Sequence, residues 1–180
     1  MRVPGSPASA GCITTPNSKH CRTEFREVNP ANGAAASWDP NRAVNRLRVT
    51  LAVAQLDNSG SGTIIGQVKI DDSVLTKPAC ELYYSLAGVL RMGVLQSHVG
   101  NQILTTAGTV PVGQTFTYEI RYEGNVLSVR INGAAPTVLS TYSLNAPRSY
   151  FKAGNHNQGS TPSTVYIFSM WVSHASTTLV

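Results

Sequence analysis

The sequence predicts an all-β protein, an antiparallel β-sandwich or jelly roll, and three observations support this. Short segments rich in Val, Ile, Thr and Tyr recur along the chain and are broken by Gly, Asn, Asp and Pro, which is typical of β-strands. Apart from one short helix start, no helical segments are interleaved with them. Asn132-Gly133 is a strong signal for a two-residue hairpin turn.

The predicted strands follow one another at short intervals. They cover 22–26, 46–56, 63–70, 81–84, 90–96, 115–122, 125–131, 150–157 and 164–174. A Gly- and Ser-rich loop at 57–62, a turn at Gly88 and a turn around Glu123-Gly124 separate neighbouring strands. A short helix is predicted only at Asp39-Pro40, where a capping residue precedes proline. Residues 1–13 are expected to be irregular.

Length and composition predict one folded domain over residues 1–180. The hydrophobic fraction of 42% is ordinary for a folded protein, and the charged fraction of 13% argues against disorder. No apolar run approaches the roughly 18 to 20 residues of a membrane span. A net charge of +5 favours an anionic partner, although a basic protein can also simply be soluble. The cations are spread along the chain, without the blocks typical of nucleic-acid tails.

The three cysteines leave at least one thiol unpaired. Cys12 and Cys21 flank a short turn-rich segment, so a disulfide between them is possible, and it would suit a secreted protein. They lack zinc-ligand spacing. The first seven residues lack the apolar core of a signal peptide, so either a leader is absent from this sequence or the protein stays inside the cell.

The segment Arg22–Arg26 places three charged side chains on one face. Side chains alternate along a strand, so Arg22, Glu24 and Arg26 point the same way. The two arginines lie about 13 Å apart, and Glu24 between them could hold both guanidinium groups. This row suits the successive carboxylates of a polymer; a solvent-exposed strand with ordinary charge pairs is the alternative.

Two further segments carry polar groups on one face of a strand. In the segment at 65–70, Gln67 and Lys69 share a face while Val68 and Ile70 point to the core. The segment at 150–158 collects on one face Tyr150, Lys152, Gly154, His156 and Gln158. A glycine inside a strand often marks the close approach of a ligand or of another backbone.

These three segments together resemble alginate lyases of polysaccharide lyase family seven. That family carries an R-x-E-x-R strand, a Q-I/V-H strand and a Y-F-K-A-G-x-Y-N-Q strand in that order, and the resemblance covers roughly residues 14 to 174. It implies a β-jelly roll with a concave substrate cleft that cleaves uronic-acid polymers by β-elimination without a metal or other cofactor. The catalysed reaction needs the sugar carboxylate neutralised, a base for the C5 proton and an acid for the departing O4.

The resemblance also implies roles for single residues. Arg22 and Gln67 would neutralise the carboxylate, and Glu24 would orient the arginines. The residues expected to bind neighbouring sugars are Arg26, Tyr150, Lys152 and Gln158.

Two positions depart from the family pattern, and both are expected to be catalytic. Lys69 stands where the family has histidine, and His156 stands where it has a tyrosine that acts as an acid and often also as a base. One hypothesis moves the titrating imidazole to His156, with Lys69 as its electrostatic partner. The competing hypothesis is a catalytically impaired, lectin-like module that binds acidic polysaccharide.

Further expectations concern the partner and the surroundings of the site. His20 lies two residues before Arg22 and is a candidate for an additional site group. The expected partner is an acidic polysaccharide. Val68 resembles the family variant linked to mannuronate preference, which favours alginate rich in mannuronate, and polyglucuronate is an equal alternative because it also carries repeated carboxylates. We expect a secreted monomer that binds neither nucleic acid nor membranes. Because family members usually have more β structure before the first motif, an N-terminal strand is expected to be missing.

Overall fold

The structure is a computed structural model, and it describes residues 1–6, 11–12 and 18–175. Within these residues the regular elements are all β-strands: β1 (Arg2–Val3), β2 (Arg22–Arg26), β3 (Val44–Gln55), β4 (Thr63–Ile70), β5 (Pro78–Tyr84), β6 (Val89–Leu95), β7 (Gln102–Thr109), β8 (Thr115–Glu123), β9 (Val126–Ile131), β10 (Thr137–Leu139), β11 (Ser149–His156) and β12 (Ser163–Ala175).

The strands form two six-stranded sheets that share one hydrophobic core. The first has the order β1-β12-β3-β8-β9-β10 and the second β2-β11-β4-β5-β6-β7, with antiparallel pairing throughout. In β8 the buried Phe116, Tyr118, Ile120 and Tyr122 alternate with more exposed residues, so one face of the strand fills the core. The predicted β-sandwich is confirmed.

All the strands predicted from sequence are present, but three short or polar ones were missed. β7 (Gln102–Thr109) contains small and polar residues and lies at a sheet edge, so its pattern is weak. β10 has only three residues. β1 was expected to be irregular, and this is wrong, because Arg2 and Val3 pair with Thr164 and Ser163.

The helix predicted at Asp39-Pro40 is wrong. The Asp39 side chain accepts a hydrogen bond from the Asn41 backbone amide, and the Arg42 amide donates to the Asp39 carbonyl, which closes a turn. The chain then enters β3 at Val44, held by the Asn45 side-chain amide on the Asp39 carbonyl. The capping signal therefore starts a turn that leads into a strand.

A disulfide joins Cys12 to Cys21, whereas Cys80 is a buried free thiol. The disulfide considered from the sequence is thus confirmed, and it ties residue 12 to the residue directly before β2. In the part of the chain that the structure describes, no helix is long and apolar enough to cross a membrane. Residues 14–17, the start of the segment that resembles the family, lie outside the described residues.

Candidate active site

The outer face of the second sheet carries a cleft of about 360 Å³. Four neighbouring strands, β2, β11, β4 and β5, supply most of its lining. The lining residues are Ser18, Arg22, Glu24, Arg26, Gln67, Lys69, Asp72, Thr76, Pro78, Glu81, Tyr150, Lys152 and His156.

Strand register sets the order of the side chains across this face. Lys152 of β11 lies opposite Arg26 of β2 on one side and opposite Gln67 of β4 on the other. Farther along β11, His156 lies opposite Arg22, and in the other direction Tyr150 lies opposite Lys69. The cleft therefore has two ends, about 20 Å apart along β11.

Glu24 is the buried centre of the cleft. Only 4% of its side chain is exposed, and its carboxylate accepts hydrogen bonds from Gln67 Nε2 and from Lys152 Nζ, the latter at 2.5 Å. Arg22 Nε lies 3.7 Å from the same carboxylate. The expectation that Glu24 holds both arginines is corrected, since Arg26 pairs elsewhere. The carboxylate instead links three strands.

Gly154 allows β2 and β11 to approach each other. A Cβ atom at this position would lie 2.3 Å from the Thr23 carbonyl oxygen and 2.6 Å from Glu24 Cα, so any side chain would push the strands apart. Of the two reasons for a glycine in this strand, the close approach of a backbone is the one observed. The Glu24 carboxylate reaches Lys152 because of this approach.

At the end of the cleft that we call the Tyr150 end (Arg26, Lys69, Asp72 and Tyr150), the polar groups satisfy one another. Asp72 Oδ2 lies 3.2 Å from Arg26 Nη2 and accepts from the Tyr150 hydroxyl, while its Oδ1 lies 3.1 Å from Lys69 Nζ. The Arg26 guanidinium lies 4.2 Å from the centre of the Tyr150 ring, in cation–π geometry. Sequence reasoning missed Asp72, because it follows β4 in a loop without a motif.

The charges at the Tyr150 end shift its titrating groups. Burial lowers the pKa of Lys69, and the nearby Lys152 and Arg26 act in the same direction against the opposing effect of Asp72. Burial raises the pKa of Asp72, but the hydrogen bond and charge of Lys69, together with Arg26, leave it below its ordinary value. Asp72 thus stays an anion that occupies the cations of this end.

At the opposite end, the His156 end (Arg22 and His156, with His20 packed against the His156 ring), two imidazoles meet edge to face. Their ring centres are 6.0 Å apart with an interplanar angle of 69°. Both nitrogens of His156 and Nδ1 of His20 are buried and have no hydrogen-bond partner. Burial, followed by the charges of Arg22 and Lys152, lowers the pKa of His156 to about 3, so its imidazole is neutral at pH 7.

Hydrogen bonds in the core fix the backbone on either side of His156. Asn155 donates to the Ser163 carbonyl and accepts from the Ser163 hydroxyl, and Asn157 donates to the Thr161 carbonyl. Both asparagines are fully buried, so their neighbour His156 must point to the opposite, cleft-facing side. The alternation of Asn155, His156 and Asn157 along the chain therefore directs the imidazole into the cleft.

Gln158 lies beyond the end of β11, and the structure does not bring it to the cleft with the other candidates. Its backbone amide donates to Asp57, and its side-chain amide donates to the carbonyls of His156 and Asn157. The period of two that places it on the cleft face ends where the strand ends. Gln158 thus closes the turn that follows His156.

Glu81 is a second buried acid in the cleft that sequence reasoning missed. It lies opposite Gln67, is 8% exposed and accepts hydrogen bonds from Tyr83 and Gln102. Burial raises the pKa of its carboxyl group above the usual range. A single Glu in an otherwise apolar strand gave no signal in the sequence.

The fold and the cleft define a β-jelly-roll protein with a cationic groove suited to an acidic glycan. The family model described as alginate lyase matches residues 5–178. The chain belongs to the alginate lyase family and is a polysaccharide lyase. No curated protein matches the chain.

Solved structures of similar proteins agree with this assignment. Alginate lyase PA1167 from Pseudomonas aeruginosa is 28% identical, with a TM-score of 0.75 over 89% of this chain and 78% of that one. Alginate lyase A1-II′, of polysaccharide lyase family 7, is 23% identical, with a TM-score of 0.78 over 94% and 77%. A variant of A1-II′ in complex with the substrate GGMG is 21% identical, with a TM-score of 0.78 over 97% and 92%. The last two likenesses concern the fold alone.

Proposed function

We propose that this protein cleaves alginate by β-elimination at the His156 end of the cleft, with His156 as the base. The observation that carries the proposal is the neutral, buried imidazole whose two nitrogens have no protein partner. Buried polar atoms are almost always hydrogen-bonded, so an unpartnered pair facing a cleft points to a missing ligand. A sugar ring that brings its C5 hydrogen to this imidazole would supply it.

Arg22 and Gln67 neutralise the substrate carboxylate in this proposal. Neutralisation makes the neighbouring C5–H bond more acidic, because the negative charge that develops on the carboxylate oxygens is stabilised. Arg22 lies opposite His156 on the adjacent strand, and a planar guanidinium can donate two parallel hydrogen bonds to a carboxylate. Glu24 holds Gln67 and Lys152 in position.

Substrate binding improves His156 as a base. In the free protein its protonated form is disfavoured by burial and by the cations Arg22 and Lys152. A bound uronate places a negative charge beside those cations and offsets their field, so the pKa of the imidazole rises toward the range needed for proton abstraction. The negative charge of the polymer, which attracts it to the cleft, thus also makes His156 a stronger base.

The Tyr150 end binds a neighbouring sugar in this proposal. Arg26, Lys69 and Lys152 offer cations for its carboxylate, and Tyr150 supports the Arg26 guanidinium. Lys69 lies opposite Tyr150, and the charges acting on His156 are those of Arg22, Lys152, His20 and Asp57. Lys69 therefore serves binding in our proposal, while Lys152 and Arg22 are the electrostatic partners of the imidazole.

We also propose that the protein is secreted. The disulfide between Cys12 and Cys21 supports this, because disulfides persist mainly in oxidising compartments. The polymeric substrate of the proposed reaction would be met outside the cell.

The test is product formation on three polymers: polymannuronate, polyguluronate and polyglucuronate. Each elimination creates a C4=C5 double bond, whose ultraviolet absorbance rises with time. We expect the fastest rise on polymannuronate, because Val68 resembles the family variant associated with mannuronate. Measurable binding with no rise in absorbance on any polymer would contradict the proposal and would favour the lectin-like binding module.

A further inference from the structure

The two imidazoles at the His156 end stand out among the buried polar groups of the protein. In the described part of the chain, four buried side-chain nitrogens or oxygens have no hydrogen-bond partner, and three of them belong to His20 and His156. The fourth is Arg130 Nε, on the other sheet. Because buried polar atoms are normally paired, three unpaired nitrogens on two adjoining rings, one of which lines the cleft, indicate where a polar ligand binds.

His20 is held in place by contacts outside its own ring. Its backbone amide donates to Ser18 Oγ, and the same hydroxyl accepts from Arg22 Nη1 at 2.6 Å. The next residue, Cys21, is fully buried and disulfide-bonded. These contacts hold the backbone that carries His20, and its imidazole lies against His156 although the residue precedes the strand that carries the motif.

The β-elimination requires two proton transfers at neighbouring atoms of one sugar pair. The base takes the proton from C5, the electron pair of the C5–H bond forms the C4=C5 double bond, and the C4–O4 bond breaks with its electrons on O4. O4 then needs a proton. One imidazole can perform only one of these transfers at a time, and the structure places a second one 6.0 Å away.

We propose that His20 is the second proton-transfer residue and donates a proton to the departing O4, while His156 accepts the proton from C5. This inference rests on the elimination proposed above. Both histidines are partly exposed as residues, so once the product has left the cleft and water has entered it, His20 can recover a proton and His156 can release one. The charged and titratable groups that face the pair are Arg22 from β2, Lys152 from β11 and Asp57 from the loop after β3.

The test compares two substrates that differ in their need for an acid. One is polymannuronate; the other is a mannuronate trisaccharide in which fluorine replaces O4 at the non-reducing end. Fluoride leaves without a proton, so only the base is needed. For His20→Gln we expect about a hundredfold loss of turnover on the polymer, relative to the unsubstituted protein, and less than about a threefold loss on the fluoride.

His156→Gln should lose activity on both substrates. The control is His98→Gln, which replaces an exposed histidine on the loop between β6 and β7 and should keep activity on both. Turnover of the fluoride by His20→Gln also shows that the variant is folded; His20→Asn serves as a second variant. An equal loss on both substrates, or no loss on the polymer, would overturn the role of His20. Failure of the elimination itself is distinguishable, because the unsubstituted protein would then form no product from the polymer.

Discussion

The two ends of the cleft differ in how far the protein satisfies its own polar groups. At the Tyr150 end, Asp72 pairs with Arg26 and Lys69 and accepts from the Tyr150 hydroxyl. At the His156 end, both nitrogens of the imidazole are buried and unpartnered. The Tyr150 end is therefore held in place by its own ion pairs without substrate, whereas the His156 end is destabilised by buried polar atoms that lack a partner.

This difference assigns the two ends to different tasks. A cation that binds a charged polymer can rest in an internal ion pair, because an exposed and weak pair is readily exchanged for the substrate carboxylate. A base must keep its lone pair free for the reacting atom, which a permanent hydrogen bond would prevent. The satisfied end suits binding and the unsatisfied end suits chemistry. Substitutions at each end can test this division.

The largest effect is expected from His156→Gln. Glutamine keeps a polar side chain but cannot take the C5 proton, so we expect turnover on polymannuronate to fall by about a thousandfold. Initial rates of ultraviolet absorbance measure this, and calorimetry should show polymer affinity close to that of the unsubstituted protein. A variant with normal turnover would refute the base role.

The next largest effect is expected in the dependence of the free energy of unfolding on pH. The pKa of His156 is lowered from 6.5 to about 3 in the folded protein, so the unfolded chain binds more protons between these values. The free energy of unfolding should therefore fall as the pH drops below 6.5, by up to about 1.4 kcal/mol per pH unit from this group, and should not change above it.

Urea unfolding at pH 7, 6, 5 and 4, taken as the difference between the protein and His156→Gln, isolates this contribution. Other titrating groups are common to both and cancel. Parallel pH profiles for the two proteins would mean that the imidazole is not held neutral by burial.

Much of the cleft was predictable from the sequence, and the residues that were not predicted share a physical reason. Arg22, Gln67, Lys152 and His156 come together because the alternation of side chains in a strand is a local rule that the sequence displays. Asp72 reaches the cleft through the path of a loop, which no periodicity describes. The extra members of the site thus come from loops and from partners across strands.

The fold was predictable for a related reason. Strands such as β8 alternate apolar and polar residues over nine positions, and the hairpin residue Asn132 adopts the positive φ of 50° that its turn requires. The edge strand β7 lacks this contrast, since it buries little of either face. The prediction of a helix at Asp39 was wrong because a helix cap and a turn use the same hydrogen bond, from a backbone amide to the Asp side chain.

A moderate effect is expected where the two ends meet, at Glu24. Replacing Glu24 by Gln removes the charge that compensates the largely buried Lys152 ammonium, so we expect a loss of about 2 to 3 kcal/mol in the free energy of unfolding. The control is Glu123→Gln, which breaks the more exposed pair with Arg46 on the other sheet and should cost less than about 1 kcal/mol. Equal losses in urea unfolding would contradict a central role for Glu24.

The smallest effect is expected from Asp72→Asn, at the satisfied end. Asp72 competes with the substrate carboxylate for Arg26 and Lys69, and both Asp72 and Arg26 are more than 40% exposed, so the competing pairs are weak. Removing this anion should lower KM for polymannuronate by about two- to fivefold and leave kcat unchanged, because the base lies at the other end. Asp39→Asn removes the same charge away from the cleft and controls for net charge. A higher KM would instead mean that Asp72 holds the cations in their binding geometry, and the satisfied end would then be preorganised for substrate rather than blocked by its own carboxylate.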